Sequence, residues 1–174
     1  MDIENSGRLW RRKPNRLPPE EYQRQWQPVF FTACTRDRRP WLTGADFVKA
    51  LTGLLDDNAQ ANGCAVIAYC FLPDHMHVLA CVVHPEGDVR SFFEGFKLGA
   101  ANLASGRGVP GLWQRTYWDP HIRNTAHLWE RVNYILENPV NGGLCGRAKD
   151  WPYSEFRGLP WDADSGNDND VAGT

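Results

Sequence analysis

The order of elements along the chain predicts an α+β fold of the ferredoxin-like class. It is an antiparallel sheet in the order βαββαβ, with helices on one face and an extra C-terminal helix. Three observations carry that expectation. Apolar runs of strand length, rich in β-branched and aromatic residues, occupy 29–35, 64–72, 75–83 and 112–122. Segments with apolar residues at helical spacing separate the first run from the second and the third from the fourth. The second and third runs are joined only by Pro73-Asp74, a connection that fits an antiparallel hairpin.

Residues 1–27 are polar and interrupted by Pro14 and Pro18, so they read as an N-terminal arm rather than a core element. The domain opens at Pro28 with the first strand. Residues 46–62 follow as a helix with Phe47, Leu51, Leu54 and Leu55 at helical spacing, and Gly63 is placed to close it. A second helix is expected over 89–104, with Asp88 as N-cap and Phe92, Phe96, Ala100 and Leu103 on one stripe. The glycine-rich stretch 105–111 is a loop before the aromatic run at 112–122. Thr125 is placed to cap a third helix that stops at Asn138, because Pro139 disfavours helical backbone in the residue before it. The chain then divides into an arm (1–27), a domain (28–157) and an acidic tail (158–174) expected to be disordered beyond Pro160.

A hydrophobic content of 42% with eight Trp in 174 residues fits a folded globule with its own core. No run of about 18 apolar residues exists, so a cytoplasmic, nucleoid-associated protein with no membrane partner is expected. The five cysteines contain no Cys-x-x-Cys pair and leave one odd thiol, which argues against a disulfide framework and a structural zinc. The net charge of −2 is an average over unlike parts. Without Asp162, Asp164, Asp168 and Asp170 of the tail, 19 basic face 17 acidic residues, a balance of +2. Residues 8–39 hold nine Lys and Arg against Glu20, Glu21 and Asp37, which suits a phosphate-binding arm; an ordinary solvated basic terminus is the competing reading.

Two short patterns carry the chemistry. In the third strand His75 and His77 share a face, about 6–7 Å apart, while Met76, Val78, Ala80 and Val82 point to the other side. Two imidazoles side by side on a strand make half of a metal site, since a divalent ion about 2 Å from each ring nitrogen can bridge them. In the third helix Tyr134 and Asn138 are one turn apart on one face, setting a phenol beside a carboxamide. Each pattern alone also has a plain structural reading: polar residues opening a strand, and a packed Tyr before a helix-ending Asn.

Taken together they resemble the single-tyrosine HUH nucleases, and among them the REP-associated tyrosine transposases, relatives of the insertion-sequence transposases. Phe71-Leu72-Pro73-Asp74-His75-Met76-His77-Val78-Leu79 looks like their metal motif, and the stretch from Leu112-Trp113-Gln114-Arg115 to Asn124 like their following strand. Tyr134-Ile135-Leu136-Glu137-Asn138-Pro139-Val140 looks like the nucleophile helix, and Trp151-Pro152-Tyr153-Ser154 like the family's tail. The likeness runs collinearly over about residues 28–157. Insertion-sequence relatives often carry Gln where this chain has Asn138, which leaves Glu137 as an alternative third ligand.

The resemblance implies cleavage of single-stranded, hairpin-containing DNA by Tyr134, giving a 5′-phosphotyrosine and a free 3′-OH. A tyrosine with the ordinary pKa of about 10 is phenolate in only about one part in a thousand at neutral pH, so positive charge must support its attack. The implied support is a divalent metal, Mn or Mg, held by His75, His77 and Asn138. Lys97, Arg115, Arg123 and Arg131 are the basic residues expected to touch DNA. A monomer is favoured and a dimer possible by the same likeness. The alternative in a different class is a DNA-binding protein that keeps the fold without turnover.

Overall fold

The computed structural model describes residues 17–119, 122 and 124–162. Its regular elements are β1 (Val29–Cys34), α1 (Ala45–Ala61), β2 (Cys64–Leu72), β3 (His75–Val82), α2 (Val89–Gly106), α3 (Thr125–Asn141) and β4 (Ser154–Phe156). The strands form one sheet in the order β1-β3-β2-β4, with every pair antiparallel. The expected α+β fold with an antiparallel sheet is present.

The sheet separates two cores. On one face α1 and α2 cover Phe31, Phe71, Met76, Val78 and Val82, and Phe31 and Phe93 stack with ring centroids 4.3 Å apart. On the other, α3 brings Leu128, Val132 and Ile135 against Phe30, Ile67, Leu79 and Cys81. Removing each such Phe or Leu side chain from water contributes roughly 1.5–3 kcal/mol. The alternation in β3 is what sorts its side chains: Met76, Val78 and Val82 enter the first core and Leu79 and Cys81 the second. His75 and His77 have the parity of the α3 side.

The helices follow their capping chemistry. The Asp88 carboxylate accepts from the backbone N–H groups of Arg90 and Ser91 and starts α2 as expected. Leu103, placed on the buried stripe by spacing, is exposed instead; Phe93 and Ala104 complete that face. Gly63 follows α1 with φ 61°, and a Cβ there would lie 2.9 Å from the Cβ of His84, so the left-handed turn requires glycine twice over. α3 begins one residue earlier than expected in its capping: Asn124, not Thr125, accepts from the His127 N–H. It also runs through Pro139 to Asn141. The proline sits in the last turn, where the Asn138 carbonyl is still taken by the Gly142 N–H and the Pro139 carbonyl by the Leu144 N–H. One missing donor there does not end the helix.

The fourth expected strand is present only as an extended edge. Residues 112–119 run antiparallel beside β1, bridging it at Thr35–Trp113 and Thr32–Trp118. Three residues separate the bridges on β1 but five on the partner, so the surplus loops outward at Arg115 and Thr116 and breaks the ladder. The strand on the opposite edge, β4, is too short and too exposed to be seen in the pattern of apolar residues.

Residues 17–27, expected as part of a free arm, pack on the domain. Tyr22 is buried, and its hydroxyl donates to the buried Asp119 carboxylate; burial pushes the phenol's pKa up. The rest of the expected arm, 1–16, lies outside the described residues, as does the tail beyond Asp162. Trp161, on the expected disordered side of Pro160, packs against the α3 core. All five cysteines are free; burial pushes Cys64, Cys70 and Cys81 up to about 12, which keeps them as neutral, inert thiols. Among the described residues no helix is long and apolar enough to cross a membrane.

Candidate active site

The Pro73-Asp74 turn delivers the His pair to the start of β3. Its carbonyls are tied down from outside the hairpin: Leu42 N–H donates to Pro73, and Thr35 N–H to Asp74. Register then places His77 opposite Thr32 and His75 opposite Cys34. The two imidazole centroids are 4.9 Å apart with the rings nearly perpendicular.

Each ring is held from behind. The Asp74 carboxylate lies 2.6 Å from His75 Nδ1, and Arg38 stands 3.3 Å from the other carboxylate oxygen. Thr32 Oγ1 is 2.8 Å from His77 Nδ1. The His77 ring stacks on Phe30 at 5.4 Å and is only 2% exposed. That burial, with the nearby His75, Arg38 and Arg131, pushes its pKa down to about 3. It is therefore a neutral imidazole with a lone pair to give.

α3 crosses this face and brings the second half of the site. Asn138 Nδ2 lies 3.2 Å from His77 Nε2, and the Tyr134 ring centroid is 5.1 Å from that of His77. Tyr134 is 42% exposed, so the phenol side chain is within reach of a ligand arriving from solvent. One turn earlier, Arg131 spreads its guanidinium over Phe30 at 5.3 Å and Trp118 at 5.9 Å, and its Nε donates to His127 Nε2. The side chains of 75, 77, 134, 138 and 131 thus share one patch.

The other expected DNA contacts are scattered. Lys97 lies on α2, on the opposite face of the sheet, with its ammonium over the Tyr117 ring at 5.0 Å. Arg115 is exposed in the looped-out part of the edge segment. Arg123 lies outside the described residues. Glu137, the alternative ligand, is exposed one position away from the face that carries Asn138. Sequence reasoning gives no role to four participants: Thr32, Phe30, Trp118 and Asp74. Asp74 is signalled by standing directly before His75, whereas Thr32 becomes visible only when strand register sets it opposite His77.

The arrangement fits a divalent metal. Both Nδ1 atoms are engaged by Thr32 and Asp74, which fixes the rings and leaves the Nε2 positions as donors, the usual support of a metal-bound histidine. Among the described residues no group of three or more His, Cys, Asp and Glu side chains could hold a metal, so a third protein donor beside the His pair would come from another residue type. Asn138 is in reach of His77, and turning its amide would present Oδ1 in place of Nδ2.

An antiparallel sheet offering a strand-borne His-x-His pair to a tyrosine on a helix is the plan of the single-tyrosine HUH class. Comparison with known proteins agrees. Residues 25–135 match the profile of the family described as "Transposase IS200 like". The chain is 30% identical over 146 residues to a putative REP-associated tyrosine transposase of Haemophilus influenzae, covering 73% of this chain and 78% of that one. It is 31% identical over 127 residues to the REP-associated tyrosine transposase of Escherichia coli, covering 73% and 74%. A solved REP-associated tyrosine transposase bound to a REP hairpin superposes with a TM-score of 0.65 at 26% identity, over 75% of this chain and 77% of the other. The chain belongs to the IS200-like transposase family, on its REP-associated tyrosine transposase side.

Proposed function

We propose that this protein cuts and rejoins single-stranded DNA beside a hairpin, using Tyr134 as nucleophile. The observation that carries the reading is the approach of α3 to β3: a solvent-open phenol stands over His77, one turn from a carboxamide that touches the same ring. Hairpin DNA as partner is supported by the related structure bound to a REP hairpin.

In the proposed step Tyr134 Oη forms a bond to the scissile phosphorus and the bond from phosphorus to the 3′ oxygen breaks. The phenolic proton is lost and the leaving 3′ oxygen gains one, giving a 5′-phosphotyrosine and a 3′-OH. The phosphodiester is exchanged rather than hydrolysed, so a 3′-OH can reverse the step and rejoin DNA without a nucleotide. His75, His77 and Asn138 would hold Mn²⁺ or Mg²⁺, which when bound neutralises charge on a non-bridging phosphate oxygen. Asp74 and Thr32 keep the two rings aimed. Arg131, pinned on Phe30 and Trp118, offers a fixed cation to the phosphate backbone beside Tyr134.

The test is a denaturing gel of the protein with labelled REP hairpin oligonucleotides and Mn²⁺, run beside Tyr134→Phe and a chelator. A covalent adduct that vanishes in both controls supports the proposal. Hairpin binding with no adduct from any oligonucleotide would leave a DNA-binding protein without turnover.

A further inference from the structure

Among the described residues three non-glycine positions have φ in the left-handed region, and one of them is Trp26, at φ 59°. That backbone is disfavoured for a bulky residue and persists only where the surroundings dictate it. Here they do. Trp26 N–H donates to the Val82 carbonyl at 2.9 Å, Gln25 bridges to the same residue, and Gln27 Nε2 donates to the Ile122 carbonyl at 2.9 Å. The outcome is an indole left 43% exposed instead of folded into the core.

It stands at a cleft of about 170 Å³ lined by Trp26, Gln27, Ile122, Asn124, Leu128 and Trp161. That is below the roughly 300–1,000 Å³ of pockets for drug-sized molecules, a size for one ring system. Two indoles supply aromatic surface. Gln27, with its nitrogen given to Ile122, has an amide oxygen left to accept; Asn124, with its oxygen given to His127, has an amide nitrogen left to donate. A flat heterocycle with donors and acceptors on its edge suits such a lining.

The cleft is built from the same stretches of chain that flank the catalytic patch. At the His pair the walls are α3, through Tyr134 and Arg131, and the segments bearing Phe30 and Trp118. At the cleft the walls come from the same stretches of chain: α3 through Leu128 with its cap Asn124, and the chain at Gln27 and Ile122. Leu128 and Asn124 precede Tyr134 by six and ten residues, about 9–15 Å along the helix at ~1.5 Å per residue. At the ~3.4 Å spacing of stacked nucleotides that is about three to four nucleotides.

We propose that the cleft at Trp26 is a subsite for one unpaired nucleobase of the substrate strand, stacked on the indole about three to four nucleotides from the phosphate that Tyr134 attacks. The inference rests on the strand-cleavage reading above. Its function would be to set the register of the strand, so that one phosphate rather than its neighbour faces the phenol.

The test uses the full chain carrying Tyr134→Phe and a REP hairpin oligonucleotide with single-stranded flanks, 2-aminopurine being placed at each flank position in turn. Quenching concentrated at one position or two adjacent ones is expected. Trp26→Gly should abolish it and weaken binding about 5- to 150-fold, the range for losing one base–aromatic stack. Glycine suits φ 59°, so the same variant should not melt lower than its parent; a purely structural Trp26 would show the reverse, a lower Tm with affinity kept. Trp26→Phe should retain the quench. An abasic scan of the flanks against protein with Trp26 intact should find one position whose loss matches Trp26→Gly. Quenching unchanged in Trp26→Gly, or no flank position that matters in the abasic scan, overturns the subsite. With Tyr134 intact, continued adduct formation beside such a result leaves the cleavage reading standing, whereas no adduct on any hairpin sinks both.

Discussion

Lowering the pH should destabilise the metal-free protein through His77 by an amount that can be worked from its surroundings. The ring is 2% exposed on Phe30, and its native pKa is pushed down to about 3 from the ordinary 6.5. Between those values the unfolded chain binds a proton that the native chain does not, so stability rises with pH across the window and is lost as pH falls through it. At pH 7 the unfolded His77 is protonated in about one molecule in four, and at pH 5 in nearly all. Integrating between the two gives a loss of about 2 kcal/mol from this residue. The assay is urea denaturation at pH 7, 6 and 5 with chelator present, for the wild type and His77→Gln. Contributions from the rest of the chain are common to both proteins, so the difference between the two slopes reports His77. The wild type should lose about 2 kcal/mol more than the variant. Parallel slopes, agreeing within about 0.5 kcal/mol, would refute the claim that the ring is buried and neutral.

Three further outcomes follow from the same geometry. Asp74→Asn removes the carboxylate behind His75 Nδ1 and should weaken Mn²⁺ binding about 10- to 100-fold, read as free Mn²⁺ by electron paramagnetic resonance; unchanged affinity would remove Asp74 from the site. Arg131→Ala should lower hairpin affinity and reduce the slope of log K against log salt by about one, the signature of one lost phosphate contact. Tyr22→Phe takes a hydroxyl away from the buried Asp119 and should cost about 1–3 kcal/mol in urea melts, whereas a change near zero would mean that residues 17–27 dock without that bond.

What the sequence disclosed follows the range of the interactions involved. The β2–β3 hairpin was legible because it is local: two apolar runs and a two-residue turn, with alternation that assigns Met76 and Val78 to one core and His77 to the other face. α2 was legible through Asp88 and its apolar stripe, down to an error at Leu103 that only the position of α1 could correct. The edge segment at 112–119 had strand composition, but its pairing depends on a two-residue surplus between Trp113 and Trp118 that no single-segment pattern contains. Pro139 misled for a related reason. Its local preference was outweighed by the backbone bonds of the turn that follows. In the candidate site, His75, His77, Tyr134 and Asn138 stand in the sequence as two short motifs, and the structure brings those motifs together. Thr32 and Phe30 do not stand out there, because they meet His77 from a neighbouring strand more than forty residues away in sequence, and Trp118 does not, because it enters only through Phe30 and Arg131.

The central claim is that Tyr134, over His77, is the atom source of a bond to DNA. The most direct measurement is mass spectrometry of the adduct formed with a REP hairpin and Mn²⁺, after proteolysis and nuclease digestion. A nucleotide joined through its 5′ phosphate to the peptide containing Tyr134 is the predicted result. A nucleotide on any other residue, or one joined through a 3′ phosphate, would contradict the account.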